Sequence, residues 1–261
     1  MTVFVGNSGW QYRHWRARFY PHGVAQARWL EYYAARFRTV EVNNAFYRLP
    51  EARTFEDWRD RTPGDFIVAV KASRYLTHVR RLRAPVDAVA LLMDRARHLG
   101  PKLGPVLLQL PSNFRVDVAA LDETLAAFPS GVRVAFEPRH ESWHCDEVAT
   151  TLARRGAAFC LSDTPGRRAP LWRTADWGYI RFHQGRARPP PCYGRSALRS
   201  WAERLADLFG SNADVFSFFN NDECACALRD ARRFALALAR VGMTPTRVPR
   251  ASDVLVCGPG E

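Results

Sequence analysis

Six ionisable side chains stand at or near the ends of short apolar runs: Glu41, Lys71, Glu137, Arg139, Arg181 and His183. Glu41 and Glu137 are a pair of carboxylates of the kind that serves general acid/base or glycosidic chemistry. Lys71, Arg139 and Arg181 can clamp a phosphate or a carboxylate. Lys71 and Lys102 are the only lysines among 38 basic residues. An amine can lose its proton once buried, to act as base or imine nucleophile, where a guanidinium cannot. Catalytic roles are therefore expected of Glu41, Lys71, Glu137 and His183. Arg139 and Arg181 are expected to bind an anion, oriented by Asn43, Gln109 and Asn221.

With Asp163 included, three carboxylates face three cations, and the set is neutral when His183 is neutral. A divalent ion would leave a surplus of positive charge, so no metal and no cofactor is expected. Glu41, Glu137, Asp163 and His183 are nonetheless ligand types for a metal-dependent sugar isomerase, hydrolase or endonuclease. A balanced salt-bridge lattice is the purely structural alternative. Six charges at one place are a heavy load for stability alone.

The elements that must position these groups follow from hydropathy. Eight strand-length apolar runs cover 2–8, 39–44, 66–72, 106–111, 133–139, 158–163, 179–183 and 215–221. Helical periodicity marks 25–38, 54–61, 86–99, 117–128, 146–155, 197–209 and 225–241, whereas 164–178 reads as irregular. Eight strands alternating with helices in about 250 residues predict an α/β fold, a parallel eight-stranded (β/α)8 TIM-like barrel. An open doubly wound sheet is the second choice, but no G-x-G-x-x-G or P-loop turn is present. One domain is expected over 1–242, with an irregular tail over 243–261. Side chains alternate along a strand. Glu41 with Asn43, Ala69 with Lys71, Leu107 with Gln109, Ala135 with Glu137 and Arg139, and Tyr179 with Arg181 and His183 then share the inward face. Active sites of such barrels lie at the carboxyl ends of the strands.

The remaining composition narrows the classes. The chain is 47% hydrophobic and 12% aromatic, which excludes a disordered chain. No apolar run reaches the ~18 residues of a membrane span, and the opening residues lack a secretory pattern, so a cytosolic protein is expected. Its net charge of +12 admits a nucleic-acid partner. The arginines are spread along the whole chain, which favours coding background over a selected patch; an enzyme acting on a small anionic or sugar-like substrate is the favoured reading, with a small polar or anionic ligand as partner, and oligomeric state is left open. Cysteines 145, 160, 192, 224, 226 and 257 form no Cys-x-x-Cys pair and are expected as reduced thiols. His140 to His144 spells H-E-x-x-H, but it starts two residues after Pro138 at a strand end, not within a helix, so a zinc protease is not expected.

Several motifs resemble a known family in order and content: 6–12 with Trp15 and 19–21; 41–50; 71–73 with Thr77-His78; 108–111; 137–143; Asp163; 179–183; and 219–222. Over roughly residues 3 to 240 the chain resembles the YecE-like proteins, domain-of-unknown-function family 72. The resemblance implies a TIM-barrel-like fold and carries no activity across. Pro138, Gln184 and the Cys224/Cys226 pair depart from that pattern, with a bulge expected at Pro138. The motifs and the strand-end aromatics complete the expected substrate-binding set with Ser8, Trp10, Tyr12, Tyr47, His78, Trp143, Asp163 and Asn220.

Overall fold

All eight apolar runs are strands: β1 (Val3–Asn7), β2 (Thr39–Val42), β3 (Ile67–Lys71), β4 (Leu103–Gln109), β5 (Val134–Glu137), β6 (Ala158–Asp163), β7 (Gly178–Phe182) and β8 (Val215–Phe219). The computed structural model describes residues 2–164, 166, 169–210 and 212–257. Every neighbouring pair is parallel, and β8 returns to β1 in register Val3↔Val215 to Asn7↔Phe219, closing the barrel. Parallel neighbours need crossovers. These contain α1 (Trp29–Ala34), α2 (Asn44–Tyr47), α3 (Ala52–Asp60), α4 (Val86–Ala96), α5 (Val118–Ala126), α6 (Asp146–Arg154) and α7 (Arg195–Phe209), with α8 (Cys226–Arg240) after β8. Among the described residues no helix joins β6 to β7, where the sequence lacks helical periodicity.

Local chemistry sets the boundaries. Asp117 caps α5 by accepting the Ala120 N–H at 3.0 Å. Gly210, at φ 58°, ends α7 in a conformation that costs a residue with a Cβ. Pro138 causes no bulge, because β5 ends at Glu137 and the missing N–H falls outside the ladder.

The barrel has two apolar layers. Phe66, Val70, Leu108, Phe136 and Ile180 belong to the core between strands and helices. Phe4, Ala69, Leu107, Ala135, Cys160, Phe216 and Phe218 belong to the inner cluster. Phe4 and Phe216 stack at 4.6 Å near the strands' amino ends. The lumen is thus plugged by hydrocarbon at one end, and polar groups are confined to the other.

Residues after α8 are irregular, yet they lie along the barrel. Val3 donates to Thr244 O and Thr246 donates to Val3 O, each at 2.8 Å. Thr246 Oγ1 accepts from Val5 N at 3.1 Å. β1 meets β2 only at Asn7↔Val40, so the 244–246 segment satisfies backbone groups beside the diverging part of β1.

The expectation of six reduced thiols is corrected. Cys192, in the loop after β7, is disulfide-bonded to Cys226 at the start of α8, 34 positions away. The chain folds that loop back over the helix, a proximity that local spacing does not reveal. Cys145, Cys160, Cys224 and Cys257 are free. Among the described residues no helix is long and apolar enough to cross a membrane.

Candidate active site

Inward alternation carries six strands' polar groups to the carboxyl end of the lumen. Arg181 of β7 is their centre. Its Nη2 donates to Glu41 Oε1 at 2.8 Å and its Nη1 to Glu137 Oε2 at 2.7 Å. Tyr179 hydroxyl donates to Glu41 Oε2 at 2.6 Å, and Gln109 Nε2 donates to Glu137 Oε2 at 2.8 Å. Glu41, Glu137 and Arg181 are essentially without solvent exposure. Buried charges need such pairing.

His183 stands 3.0 Å from Glu137 Oε1 through Nε2, and 3.3 Å from Asn220 Nδ2 through Nδ1. One tautomer satisfies both contacts: Nε2–H donates to the carboxylate and Nδ1 accepts from the amide. Arg139 approaches the same Oε1 at 3.7 Å and is 36% exposed. Burial opposes ionisation of Glu137, but the Arg181 guanidinium and the His183 contact outweigh it and hold the carboxyl well below the usual range.

Lys71 occupies the opposite situation. Its ammonium lies 4.0 Å from the Phe46 ring centroid, and among the described residues no carboxylate bonds to it. Burial and then Arg181 draw its pKa down to about 8, against the pull of Glu41 and Glu137. His78 packs edge-on against the same ring at 4.9 Å and bonds to Thr77 Oγ1 at 2.9 Å. Burial and then the charge of Lys71 bring His78 down to about 4, so its imidazole is neutral at neutral pH.

Nearby, Asn43 Nδ2 and Tyr12 hydroxyl both donate to Ser8 O, at 3.1 and 2.5 Å. Ser8 Oγ and Asn43 Oδ1 are buried without a hydrogen-bond partner among the described residues. A cavity of about 600 Å³ opens over β5 and β6, touching Arg139, His140 and Ser162.

The structure separates other expected residues from this cluster. On β6, Phe159 and Leu161 face the helices while Ala158 and Cys160 face the lumen. Alternation therefore turns Ser162 inward and Asp163 outward, where Asp163 accepts from Trp201 Nε1 at 3.1 Å. Asp163 instead lines an adjoining cavity of about 710 Å³ beside α7, which shares Thr164 and Gly166 with the first. Asn221 is buried and donates to Pro191 O and Asp230 Oδ2. Trp143 is buried with its Nε1 on Phe114 O, and Trp10 is buried edge-on to Trp58. Tyr47 is 81% exposed. His140 and His144 flank a 3-10 turn (Glu141–Trp143), so they do not share one face of an α-helix.

The charge count changes with Asp163 gone. Two carboxylates, Glu41 and Glu137, now face three cations, Lys71, Arg139 and Arg181. Among the described residues no three His, Cys, Asp or Glu side chains are grouped as a metal site requires. Arg181 occupies the place between Glu41 and Glu137, and Asp163 faces away, so the four proposed donors do not fit a divalent ion.

Two contributors were not singled out from the sequence. Ser162 Oγ lies 3.5 Å from Glu137 Oε1, and its inward position follows from the outward Phe159 and Leu161. Asp222 binds His14 Nε2 at 2.8 Å and Trp15 Nε1 at 2.7 Å, joining the loops after β8 and β1. That pairing crosses more than 200 residues and leaves no local signal.

Comparison with known proteins agrees with this architecture. UPF0759 protein YunF of Bacillus subtilis is 27% identical over 254 residues, covering 84% of this chain and 89% of that one. UPF0759 protein YecE of Escherichia coli is 31% identical over 155 residues, covering 59% of this chain and 54% of that one. A DUF72 family protein of Thermotoga maritima has a crystal structure that superposes with a TM-score of 0.81 at 27% identity, covering 92% of this chain and all of that one. An Enterococcus faecalis DUF72 protein shares the fold, with a TM-score of 0.76 at 17% identity over 92% of this chain and 96% of its own. Residues 4–252 match the family described as protein of unknown function DUF72, and the chain belongs to that family.

Proposed function

We propose that the chain is an enzyme that performs acid/base chemistry, without a cofactor, on a small anionic substrate at the carboxyl end of the barrel. The observation that carries this reading is the unequal charge of the lumen. Arg181 is consumed by Glu41 and Glu137, and Lys71 has no carboxylate of its own among the described residues. Arg139 is held only at 3.7 Å and is partly exposed. An incoming anion would balance the surplus. A carboxylate held as low as Glu137 is a poor base, so proton transfer falls to Lys71 and His183. Glu137 then orients His183, while Glu41 and Tyr179 fix the other side of Arg181.

The test is thermal unfolding in the presence of small carboxylates, phosphates and neutral sugars. A small anion is expected to raise the Tm of the parent protein and not that of Arg139→Ala. A response to neutral sugars alone, or to none of the three classes, overturns the reading.

A specific observation favours a second reading, of a nucleic-acid partner. Arg195, Arg199, Arg229, Arg232, Arg233 and Arg240 line one groove of about 580 Å³ between α7 and α8. They come from two separate helices, so no single run of the sequence shows the cluster. Single-stranded RNA bound in this groove would lose affinity steeply with salt, and charge reversal at Arg199 and Arg232 would flatten that dependence. Weak binding with no salt slope rejects it.

A further inference from the structure

We infer that Lys71 is a carbonyl-trapping nucleophile, and that the substrate is a small 2-oxo acid whose carboxylate rests on Arg139. This inference depends on the acid/base reading of the same pocket and names its substrate class. Four features of the geometry carry it. Lys71 is the amine of the lumen, on a strand end, with an aromatic ring at 4.0 Å and no hydrogen bond to a carboxylate among the described residues. A lysine kept merely as a slim cation would be expected to sit on Glu41, yet both Glu41 oxygens are taken by Arg181 and Tyr179. The imidazole of His78 packs on the same Phe46 ring as Lys71 and is neutral, so it brings no charge to that side of the amine. Arg139 supplies a partly exposed guanidinium whose charge is felt at Lys71.

The chemistry is balanced without any other reagent. The neutral Nζ lone pair attacks C2 of the oxo acid and forms the C–N bond, while the carbonyl π pair moves to oxygen. Solvent water takes a proton from nitrogen and delivers one to that oxygen, giving a carbinolamine. The nitrogen lone pair then forms C=N as the hydroxyl leaves with a second proton as water. Amine plus carbonyl becomes imine plus water, and nothing is oxidised or reduced. The protonated imine can take up the electron pair of a bond broken at C3, which suits lyase or isomerase chemistry there.

Pyruvate is the probe. The protein is incubated with pyruvate at pH 8, reduced with borohydride and mapped by peptide mass spectrometry. Lys102 is the internal control, because its Nζ is held by Thr62 O, Thr62 Oγ1 and Arg59 O. At pH 8 an amine of pKa near 8 offers about a hundredfold more neutral form than an ordinary lysine. The carboxyethyl adduct is therefore expected on Lys71 well above Lys102, and absent from Lys71→Arg. A thermal-shift arm with pyruvate and no borohydride runs in parallel. Stabilisation by pyruvate without an adduct at Lys71 overturns the imine while leaving the anion-binding acid/base pocket intact. Equal labelling of both lysines, or neither labelling nor stabilisation, also overturns the inference; the anion screen then decides the broader reading separately.

Discussion

Arg181 Nη1 stands 2.7 Å from Glu137 Oε2, and each side chain is only 1% exposed. The other arm of the same guanidinium holds Glu41. A buried ion group of this kind is weak evidence for stability, because desolvation offsets most of the attraction. Its removal in part is another matter. Arg181→Ala leaves two carboxylates buried around an empty space, and a loss of about 3–5 kcal/mol is expected. Chemical denaturation measures it. An unchanged midpoint would show that solvent already reaches Glu41 and Glu137.

Glu137 links this network to acid stability. Its folded pKa is depressed, so its contribution is complete above the ordinary carboxylate pKa of about 4.3 and is lost as pH falls through the folded value. Stability of the parent protein should therefore decline from about pH 5 downwards. Glu137→Gln should be less stable at pH 7 by about 3 kcal/mol and show a shallower decline. Parallel slopes for the two proteins between pH 5 and pH 2 would place the acid sensitivity elsewhere.

Most of the barrel was legible in the sequence because each strand announces itself by hydropathy. Alternation then assigned Glu41, Lys71, Gln109, Glu137 and Arg181 to the lumen, and each lies there. Asp163 went astray because its place was judged from the strand end and not from parity. Phe159 and Leu161 had already fixed the outward set, which leaves Ser162, not Asp163, beside Glu137. Asn221 and Trp143 are held by buried neighbours. Their partners, Asp230 and Phe114, lie on other elements, and nothing local distinguishes a polar group turned to substrate from one turned to a buried neighbour. The Cys192–Cys226 bond is of the same type, fixed by the return of a long loop. The separation of Lys71 from any carboxylate was also invisible, since it depends on Arg181 and Tyr179 occupying Glu41 first.

The disulfide gives a prediction independent of the site. It closes a loop over a separation of 34 residues. Chain-entropy reasoning puts its contribution at about 3–4 kcal/mol. Replacing both Cys192 and Cys226 by alanine should lower stability by roughly that amount. The buried contacts of Arg181 do not involve this loop, so the pH response attributed to Glu137 should be preserved. Thiol titration of the denatured, unreduced protein should find Cys192 and Cys226 unreactive until reductant is added. Reaction at both positions before reduction contradicts the bond.

Lys71 offers the sharpest pH test. Its folded pKa, about 8, lies below the ordinary value of 10.5. The sign is opposite to that of a paired lysine. Below pH 8 the folded protein carries a buried cation that the unfolded chain would hold more comfortably in water, and stability is reduced. Between pH 8 and about 10.5 the unfolded chain binds the extra proton, so stability rises with pH over that window. Lys71→Met keeps similar volume and removes the charge. It should be more stable than the parent at pH 7, by about 2 kcal/mol, and the advantage should shrink as pH approaches 10. Comparing the two proteins cancels the buried tyrosines, whose raised pKa values add their own slope at high pH. Urea denaturation at pH 7, 8, 9 and 10 supplies the four differences. A substitution that destabilises equally at every pH would mean that the amine is paired in solution, and Lys71 would then be a packing cation with no free lone pair to offer.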